Sequence, residues 1–334
     1  MAIEITSNSD MPPCLNTEAK QFKKAKELAR LHRDTPVKSA RSPKPQGFFS
    51  RTVIITMKTG EELVFQFRPE ALDMTPFQKA RAVLGDVVPS IERIEDEAMF
   101  QASIWVYCMT CIAGSTCFHA RNGRSAEGRL QATKTLGQIL SKGHVAGDAA
   151  QVVHETIRPH LEVLLSAENS SIQSFHSEIK SMLDQVDSLA ALPLYISHFD
   201  LNDVNIMVDN DCRVSGIVDW ELSTKLPFGM GLCRIHTLAG FYSQQKFVMP
   251  PEFDQAERGF WGEIFDGMPK KVREIMEQNL ALVDLSVKVG ALLDTFQLDE
   301  GKVGGINPVA VEALPKFLTY RIPQSRGSGE PYLV

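Results

Sequence analysis

The chain has 334 residues, of which 43% are hydrophobic and 23% are charged. The length exceeds the ~100–200 residues of a usual domain, and the composition is that of a folded globular protein rather than a disordered or collagen-like one. The formal net charge is −6, so we expect no broad basic surface and no nucleic-acid partner.

Residues 1–45 are predicted to form an N-terminal extension. Residues 20–33 carry six basic side chains and one acid at helical spacing, which predicts an exposed basic helix. Docking to a membrane surface or a partner is the other interpretation of this helix, although its apolar side is modest. Residues 35–45 contain Pro and Ser and are predicted to be a linker. No stretch reaches the ~18–20 apolar residues of a membrane span, and no signal peptide is evident, so we expect a cytoplasmic protein without stable membrane insertion.

Residues 46–113 are predicted to form a small lobe based on an antiparallel sheet. Two β-rich runs, Arg51–Met57 and Glu62–Arg68, are separated by a short Gly-containing connection typical of a hairpin. One helix and two further strands are expected over residues 77–84, 89–94 and 104–109. Residues 114–325 are dominated by helical periods and predict a larger, mainly helical second lobe. The fold class is therefore α+β.

The six cysteines do not form the close, even pattern of a disulfide-rich secreted domain. Cys108 and Cys111 are spaced as CxxC, but no second close pair of Cys or His accompanies them. We interpret these two as core thiols, with metal or redox use as the alternative.

The segment from His198 to Glu221 contains the pattern with most chemical content. Residues 206–208 and 214–218 are short β-rich runs around a turn-rich stretch, which predicts an antiparallel hairpin. Asn205 precedes this hairpin and Asp219 follows it, so an amide oxygen and a carboxylate should meet at its open end. Two such oxygens suit Mg²⁺, whose remaining positions are filled by phosphate oxygens and waters. Asp200 would then lie beside the metal and accept a proton from a substrate hydroxyl.

This segment resembles the catalytic and metal-binding loops of the aminoglycoside phosphotransferase and choline kinase superfamily, which has the protein-kinase-like fold. The shared pattern is His-x-Asp-x-x-x-x-Asn followed by Val-Asp-Trp-Glu, and the similarity covers about residues 47–320. The chain also resembles fungal aminoglycoside-phosphotransferase-like proteins, some of which act in secondary metabolism. The resemblance implies a bilobal fold, with Asp200 as catalytic base, His198 as a scaffold residue of the catalytic loop, and Asn205 and Asp219 as Mg²⁺ ligands.

The resemblance also implies an ATP site on the small lobe. The third strand of the superfamily carries a cation that contacts the ATP phosphates and pairs with a Glu on the next helix. Gln66 stands where that cation is expected, and residues 77–84 contain no Glu. Because side chains alternate along a strand, Arg68 shares a face with Gln66 and could replace the cation. Tyr107 and Met109 are the other residues expected near the nucleotide.

These patterns leave three functional hypotheses open. The first is an ATP- and Mg²⁺-dependent phosphotransferase acting on a hydroxyl-bearing metabolite, with Glu221 and His236 as candidate substrate ligands. The second is a pseudokinase that binds or scaffolds without transferring phosphate, and the third is a metabolite enzyme that uses the same site without ATP. Asp294, Asp299 and Glu300 could line a substrate pocket or be ordinary surface charges. Neither the acceptor nor the oligomeric state can be predicted.

Overall fold

A five-stranded antiparallel sheet forms the first of two units in the computed structural model, which describes residues 3–44 and 46–326. This unit contains the described residues up to Arg81 together with Val88–Ile112. Its elements in chain order are α1 (Glu18–Arg33), β1 (Val37–Arg41), β2 (Arg51–Met57), β3 (Glu62–Arg68), α2 (Thr75–Leu84, whose last turn belongs to the second unit), β4 (Ile91–Ile94), α3 (Glu97–Gln101) and β5 (Trp105–Thr110). The strand order is β1, β2, β3, β5, β4, and all neighbours are antiparallel.

The two faces of the sheet differ in character because side chains alternate along each strand. On β3, Leu63, Phe65 and Phe67 point to a hydrophobic core, whereas Gln66 and Arg68 lie on the opposite face. Cys108 of β5 also lies in this core, and burial raises the pKa of its thiol to about 12. This placement agrees with a packing role for the thiol.

Helix α1 packs on the apolar face of the sheet. Ala25, Leu28 and Ala29 are buried against it, and Lys24 forms an ion pair with Asp96 at 2.7 Å. The basic side chains of Lys20, Lys23, Lys26 and Arg30 are exposed, as expected, but the opposite side of the helix is buried against the sheet. A few small and branched apolar residues at helical spacing form this docking face.

The predicted linker also differs from the structure, because Val37–Arg41 form the edge strand β1 rather than an irregular connection. Strand β1 pairs antiparallel with β2 through an irregular register between Val37 and Ser39. Its alternating polar and small residues carry little hydrophobic signal, as expected for an exposed edge. Met1, Ala2 and Pro45 of the predicted extension lie outside the described residues.

The second unit contains Ala82–Val87 and the described residues from Ala113 onward, and it is mainly helical. Its strands are β6 (Ser115–Thr116), β7 (His144–Val145), β8 (Leu194–Ser197), β9 (Ile206–Val208), β10 (Val214–Ile217), β11 (Thr224–Pro227), β12 (Phe241–Ser243), β13 (Lys246–Val248), β14 (Leu298–Asp299) and β15 (Lys302–Val303). Its helices are α4 (Ala126–Leu140), α5 (Ala149–Val152), α6 (Arg158–Ser166), α7 (Ser170–Gln173), α8 (His176–Gln185), α9 (Ile235–Ala239), α10 (Phe253–Gly267), α11 (Lys270–Gln278), α12 (Leu280–Thr295) and α13 (Pro308–Leu318). The helical segment from Lys270 to Thr295 is interrupted at Asn279, where α11 ends and α12 begins. Among the described residues, no helix combines the length and the apolar character that crossing a membrane requires.

The docking of α1 predicts a stability difference between two leucines three residues apart. Leu28 is 3% exposed and Leu31 is 70% exposed. Leu28→Ala should lower the free energy of unfolding by about 2–5 kcal/mol, because it removes buried methyl groups and leaves a cavity. The matched control Leu31→Ala should change it by less than about 0.5 kcal/mol. Urea denaturation measures both, and equal effects would contradict the docking.

Candidate active site

The hairpin formed by β9 and β10 provides the framework of the site. Asp209 shapes its turn, since its side chain accepts the backbone N–H groups of Asp211 and Arg213, each at 2.9 Å. β6 adds a third strand beside β9. Gly114, with φ +110°, precedes β6, and a Cβ atom there would lie 2.2 Å from the carbonyl oxygen of Val208. Only glycine allows this approach without a shift of the backbone.

Two asparagine side chains hold the carboxylate of Asp200. Asn205 donates its side-chain N–H groups to the Asp200 carbonyl oxygen at 2.9 Å and to Oδ2 at 3.1 Å, while Asn202 donates to Oδ1 at 3.0 Å. Asn202 also accepts the backbone N–H groups of Val204 and Asn205 through its Oδ1. Asp200 is half-buried, with 35% of its side chain exposed. The carboxylate is thus oriented and still accessible.

His198 supports the loop that carries Asp200 through two hydrogen bonds and one ring contact. Its Nε2 lies 2.7 Å from the carbonyl oxygen of Val218 and must donate, since a carbonyl can only accept. Its Nδ1 then accepts the N–H of Asp200 at 3.3 Å. Burial lowers the pKa of His198, and the ring packs edge-on against Trp220 with centroids 4.6 Å apart. These contacts fix His198 as a neutral imidazole.

Asp219 follows the second strand of the hairpin, one residue beyond Val218, whose N–H donates to the Asn205 carbonyl at 2.9 Å. Asp219 is exposed and has a φ of +66°, and Phe199 beside Asp200 has a φ of +63°. Non-glycine residues rarely adopt such angles, and the few that do are concentrated at functional sites. The Asn205 amide nitrogen is used by Asp200, which leaves its Oδ1 as an oxygen donor beside the hairpin end.

An ion-pair network that the sequence did not predict adjoins Asp200. Arg234 contacts Asp294 twice, with Nε 2.6 Å from Oδ2 and Nη2 2.7 Å from Oδ1. Nη1 of Arg234 lies 3.6 Å from Oδ1 of Asp200. Burial alone would lower the pKa of Arg234, but Asp294 and Asp200 outweigh it and raise the pKa. Arg234 and Asp294 are sixty residues apart, and nothing in the local sequence links them.

The four predicted nucleotide residues lie in the first unit and share one face of its sheet. Gln66 is opposite Tyr107 in the register of β3 and β5, and Arg68 is opposite Trp105. Tyr107 is 1% exposed, and its hydroxyl oxygen accepts the N–H of Leu72 at 2.7 Å. This disagrees with the prediction that Tyr107 contacts a nucleotide, because its ring is buried and its polar atom is already bonded. Met109 is also largely buried.

The structure places the two predicted substrate ligands differently. Glu221 is partly buried in the loop after Asp219. His236 is 1% exposed. Its Nδ1 forms a hydrogen bond with Oε1 of Glu257 at 2.9 Å, and its ring stacks on Phe317. His236 is thus a core residue, and its prediction as a substrate ligand is wrong, because a histidine in a buried helical turn has the same sequence pattern as one facing a pocket.

Comparison with protein families gives a match to the phosphotransferase enzyme family over residues 42–233. This matched region contains β2 to β5 and the loop and hairpin from His198 to Asp219. A comparison with curated proteins gives no match.

Solved structures of several phosphotransferases have a similar fold. An ethanolamine kinase from Plasmodium vivax has a TM-score of 0.53 at 12% identity, covering 91% of this chain and 88% of its own. An aminoglycoside phosphotransferase, APH(4)-Ia, has a TM-score of 0.51 at 12% identity, covering 88% and 90%. The macrolide 2′-phosphotransferase MphH from Brachybacterium faecium has a TM-score of 0.50 at 14% identity, covering 90% and 98%. The predicted α+β, protein-kinase-like fold is confirmed.

The burial of His198 predicts a pH-dependent contribution to stability. Because its pKa is lowered in the folded protein, the unfolded chain binds more protons once the pH falls below the ordinary histidine pKa of about 6.5. The stability that His198 contributes is therefore complete above about pH 6.5 and is lost as the pH falls toward the folded-state pKa. His198→Gln should show a smaller loss of unfolding free energy than wild type between about pH 7.5 and about pH 5.5.

Urea denaturation at the two pH values measures this difference, and His154→Gln, at an exposed histidine, is the matched control. An identical loss in wild type and His198→Gln would contradict the assignment of a neutral imidazole.

Proposed function

The chain belongs to the phosphotransferase enzyme family, and we propose that it transfers the terminal phosphoryl group of ATP to a hydroxyl group of a small molecule. The observation that carries the proposal is the orientation of Asp200: both carboxylate oxygens accept side-chain amide N–H groups, and the side chain stays accessible. The enzymes with similar folds are named for ethanolamine, aminoglycosides and macrolides, which supports a small-molecule acceptor.

Asp200 is the proposed base. A carboxylate has about four lone-pair positions, and the two asparagines use one on each oxygen. The remaining positions can accept the hydrogen of an acceptor hydroxyl. As that proton moves to Asp200, the hydroxyl oxygen forms a bond to the γ-phosphorus, and the bond between this phosphorus and the β,γ-bridging oxygen breaks. The bond electrons stay with the oxygen of ADP.

The donor set at the end of the hairpin fits Mg²⁺. Asn205 offers a carbonyl-type Oδ1 because its nitrogen is committed to Asp200, and Asp219 offers an exposed carboxylate. Mg²⁺ prefers a few protein oxygens of this kind and completes its shell with phosphate oxygens and water. When bound, the ion neutralises charge on the ATP phosphates. The chain sets the positions of the two proposed ligands. The N–H of Val218, the residue before Asp219, donates to the Asn205 carbonyl and so links the two segments that carry them.

Gln66 is the observation that favours the second candidate, a pseudokinase. It lies on β3 where a cation is expected, and α2 contains no acidic residue. Arg68 shares the face of Gln66 two positions farther along the strand. We propose that Arg68 supplies the positive charge for the phosphates. The pseudokinase hypothesis predicts no turnover with any acceptor, and a metabolite enzyme without ATP predicts no nucleotide binding.

Two substitutions distinguish the role of the proposed base, Asp200, from that of the proposed metal ligand, Asp219. Asp200→Asn should lower the phosphoryl-transfer rate by about 100-fold or more, since general bases contribute ~10²–10⁴-fold, and should leave Mg²⁺–ATP binding nearly unchanged. Asp219→Asn should weaken Mg²⁺–ATP binding by about tenfold or more, because even outer partners of a metal ligand are worth ~10–100-fold. Calorimetric titration measures binding, and ADP release in the presence of amino alcohols, sugars and pathway metabolites measures transfer.

The matched control for both is Asp211→Asn, an exposed acid in the turn of the same hairpin. It should bind Mg²⁺–ATP and turn over as wild type does. If wild type shows neither a melting shift with Mg²⁺–ATP nor turnover, the phosphotransferase proposal is wrong, since a ligand that binds only the folded state must raise its melting temperature.

The third strand supplies a second comparison. Arg68→Ala should raise the apparent KM for ATP, because a guanidinium that contacts phosphates stabilises their charge. Gln66→Ala should have the smaller effect, since an amide carries no net charge. Initial rates at varied ATP concentration measure the apparent KM for ATP of both variants. A larger effect of Gln66→Ala than of Arg68→Ala would contradict the proposal that Arg68 supplies the positive charge for the phosphates.

A further inference from the structure

Three side chains of the first unit bring a nitrogen, an oxygen and a sulfur atom together. They are His32 of α1, Glu92 of β4 and Cys108 of β5, and their ligand atoms all lie within 4.8 Å of one another. Imidazole nitrogen, carboxylate oxygen and thiolate sulfur are the donors that bind Zn²⁺ in proteins. In the described part of the chain, no other three side chains of His, Cys, Asp and Glu bring such atoms so close.

The fold of the first unit places these residues side by side. Glu92 and Cys108 are direct partners in the antiparallel register of β4 and β5, so their side chains leave the same face of the sheet. Helix α1 covers that face, and His32 follows the buried Leu28 by four residues, which places both on one side of the helix. Nε2 of His32 lies 2.7 Å from Oε1 of Glu92.

The cluster has a side open to solvent and a side closed to it. The side chains of Glu92 and His32 are 49% and 22% exposed, whereas Cys108 is 1% exposed. An ion from solvent therefore meets the carboxylate and the imidazole first, and the sulfur lies behind them. Zn²⁺ with bonds of about 2.0–2.3 Å holds tetrahedral ligand atoms roughly 3.3–3.6 Å apart, so these atoms need shifts of only about 1 Å.

The charges of the cluster balance when Zn²⁺ is bound. Burial and the neighbouring Glu92 raise the pKa of the Cys108 thiol to about 12, so the sulfur holds a proton until a metal ion replaces it. On binding, the S–H bond breaks, the proton passes to water, and an electron pair of the sulfur forms the bond to the ion. The thiolate and the carboxylate then cancel the two charges of Zn²⁺, and His32 binds as a neutral imidazole. A neutral centre avoids the cost of an unpaired charge beside the core.

Arg33 has a counter-charge of its own. Its Nε lies 3.3 Å from Oε1 of Glu61, whereas its Nη1 lies 3.8 Å from Oε1 of Glu92. Because the contact with Glu61 is the shorter one, the guanidinium stays paired when Glu92 turns to a metal ion.

We propose that His32, Glu92 and Cys108 form a binding site for Zn²⁺, with water as the fourth ligand. The bound ion joins the end of α1 to the sheet and stabilises the docking of this helix. The sulfur ligand distinguishes the site from one for Mg²⁺ or Ca²⁺, which take oxygen ligands. This inference is independent of the proposed phosphotransfer.

Titration of the full chain with Co²⁺ tests the proposal, after removal of bound metal with a chelator and without nucleotide. Co²⁺ replaces Zn²⁺ in tetrahedral sites, and its bond to a thiolate gives a charge-transfer band in the near ultraviolet. Wild type should develop this band up to one equivalent of Co²⁺, and added Zn²⁺ should remove it. Zn²⁺ should also raise the melting temperature, because the three ligands meet only in the folded chain.

Substitutions identify the ligands. Cys108→Ala should abolish the band, and Cys111→Ala, at the other cysteine of the CxxC pattern, is the matched control and should retain it. His32→Gln and Glu92→Gln change partly exposed side chains and leave the core intact. Each should weaken Co²⁺ binding by about 100-fold or more, since even outer partners of a metal ligand are worth ~10–100-fold. Glu95→Gln, at an exposed acid three residues beyond Glu92, should bind as wild type does.

Because Cys108 is buried and its variant could fail to fold, the two glutamine variants carry the test by themselves. Absence of the band in wild type, a band that survives Cys108→Ala, or unchanged affinity in His32→Gln and Glu92→Gln would each overturn the proposal. A melting shift with Zn²⁺ but no thiolate band with Co²⁺ would also overturn it, since the ion then binds through other groups. Asp219→Asn, at the proposed Mg²⁺ ligand, should leave the band unchanged, and its loss in this variant would contradict the assignment.

Discussion

The side-chain amide of Asn205 holds both the carbonyl oxygen and the carboxylate of Asp200, and the geometry of the site depends on this contact. Asn205 stands directly before β9, and its own carbonyl accepts the N–H of Val218 at the end of β10. The loop that carries Asp200 is thereby linked to both strands of the hairpin. An amide orients a carboxylate without cancelling its negative charge, which an ammonium group in the same place would do. The Asp200 carboxylate is therefore fixed in direction and keeps its attraction for a proton.

Two residues of the site, Phe199 before Asp200 and Asp219 after the hairpin, have strained backbone. Phe199 and Asp219 have positive φ angles, and each such conformation costs about 1–3 kcal/mol for a residue with a side chain. The contacts of His198 hold this strain in place, because its ring bonds to Val218, accepts the N–H of Asp200 and packs on the fully buried Trp220. A buried residue thus helps to set the positions of the proposed base, Asp200, and of a proposed Mg²⁺ ligand, Asp219.

The parts of the structure that are predictable from sequence are those specified by local patterns. The strands Arg51–Met57 and Glu62–Arg68 and the hairpin after Asn205 follow from β-branched runs separated by turn residues, and the structure has them at nearly the expected bounds. Strand β1 lacked such a pattern, since an edge strand needs only a partner for its backbone. Arg234 was not predicted because its position in the site depends on an ion pair with Asp294 of α12, sixty residues away. No local sequence pattern indicates a contact between residues so far apart in the chain. Asn202 had a local signal, because an asparagine two residues after an aspartate can donate to its carboxylate and accept the N–H groups that follow.

The Arg234–Asp294 pair also explains how a cation can lie near Asp200 without a direct hydrogen bond to its carboxylate. An arginine 3.6 Å from the Asp200 carboxylate could move slightly and form a direct hydrogen bond, which would occupy the lone pairs that a hydroxyl must reach. Asp294 opposes this movement, because its Oδ1 accepts a hydrogen bond from Nη2 at 2.7 Å and its Oδ2 lies 2.6 Å from Nε as an ion-pair contact. The planar guanidinium can turn only as a unit, so fixing one edge fixes the distance of Nη1 from Asp200. In the proposed mechanism, Asp294 therefore keeps the carboxylate of Asp200 available to the acceptor hydroxyl.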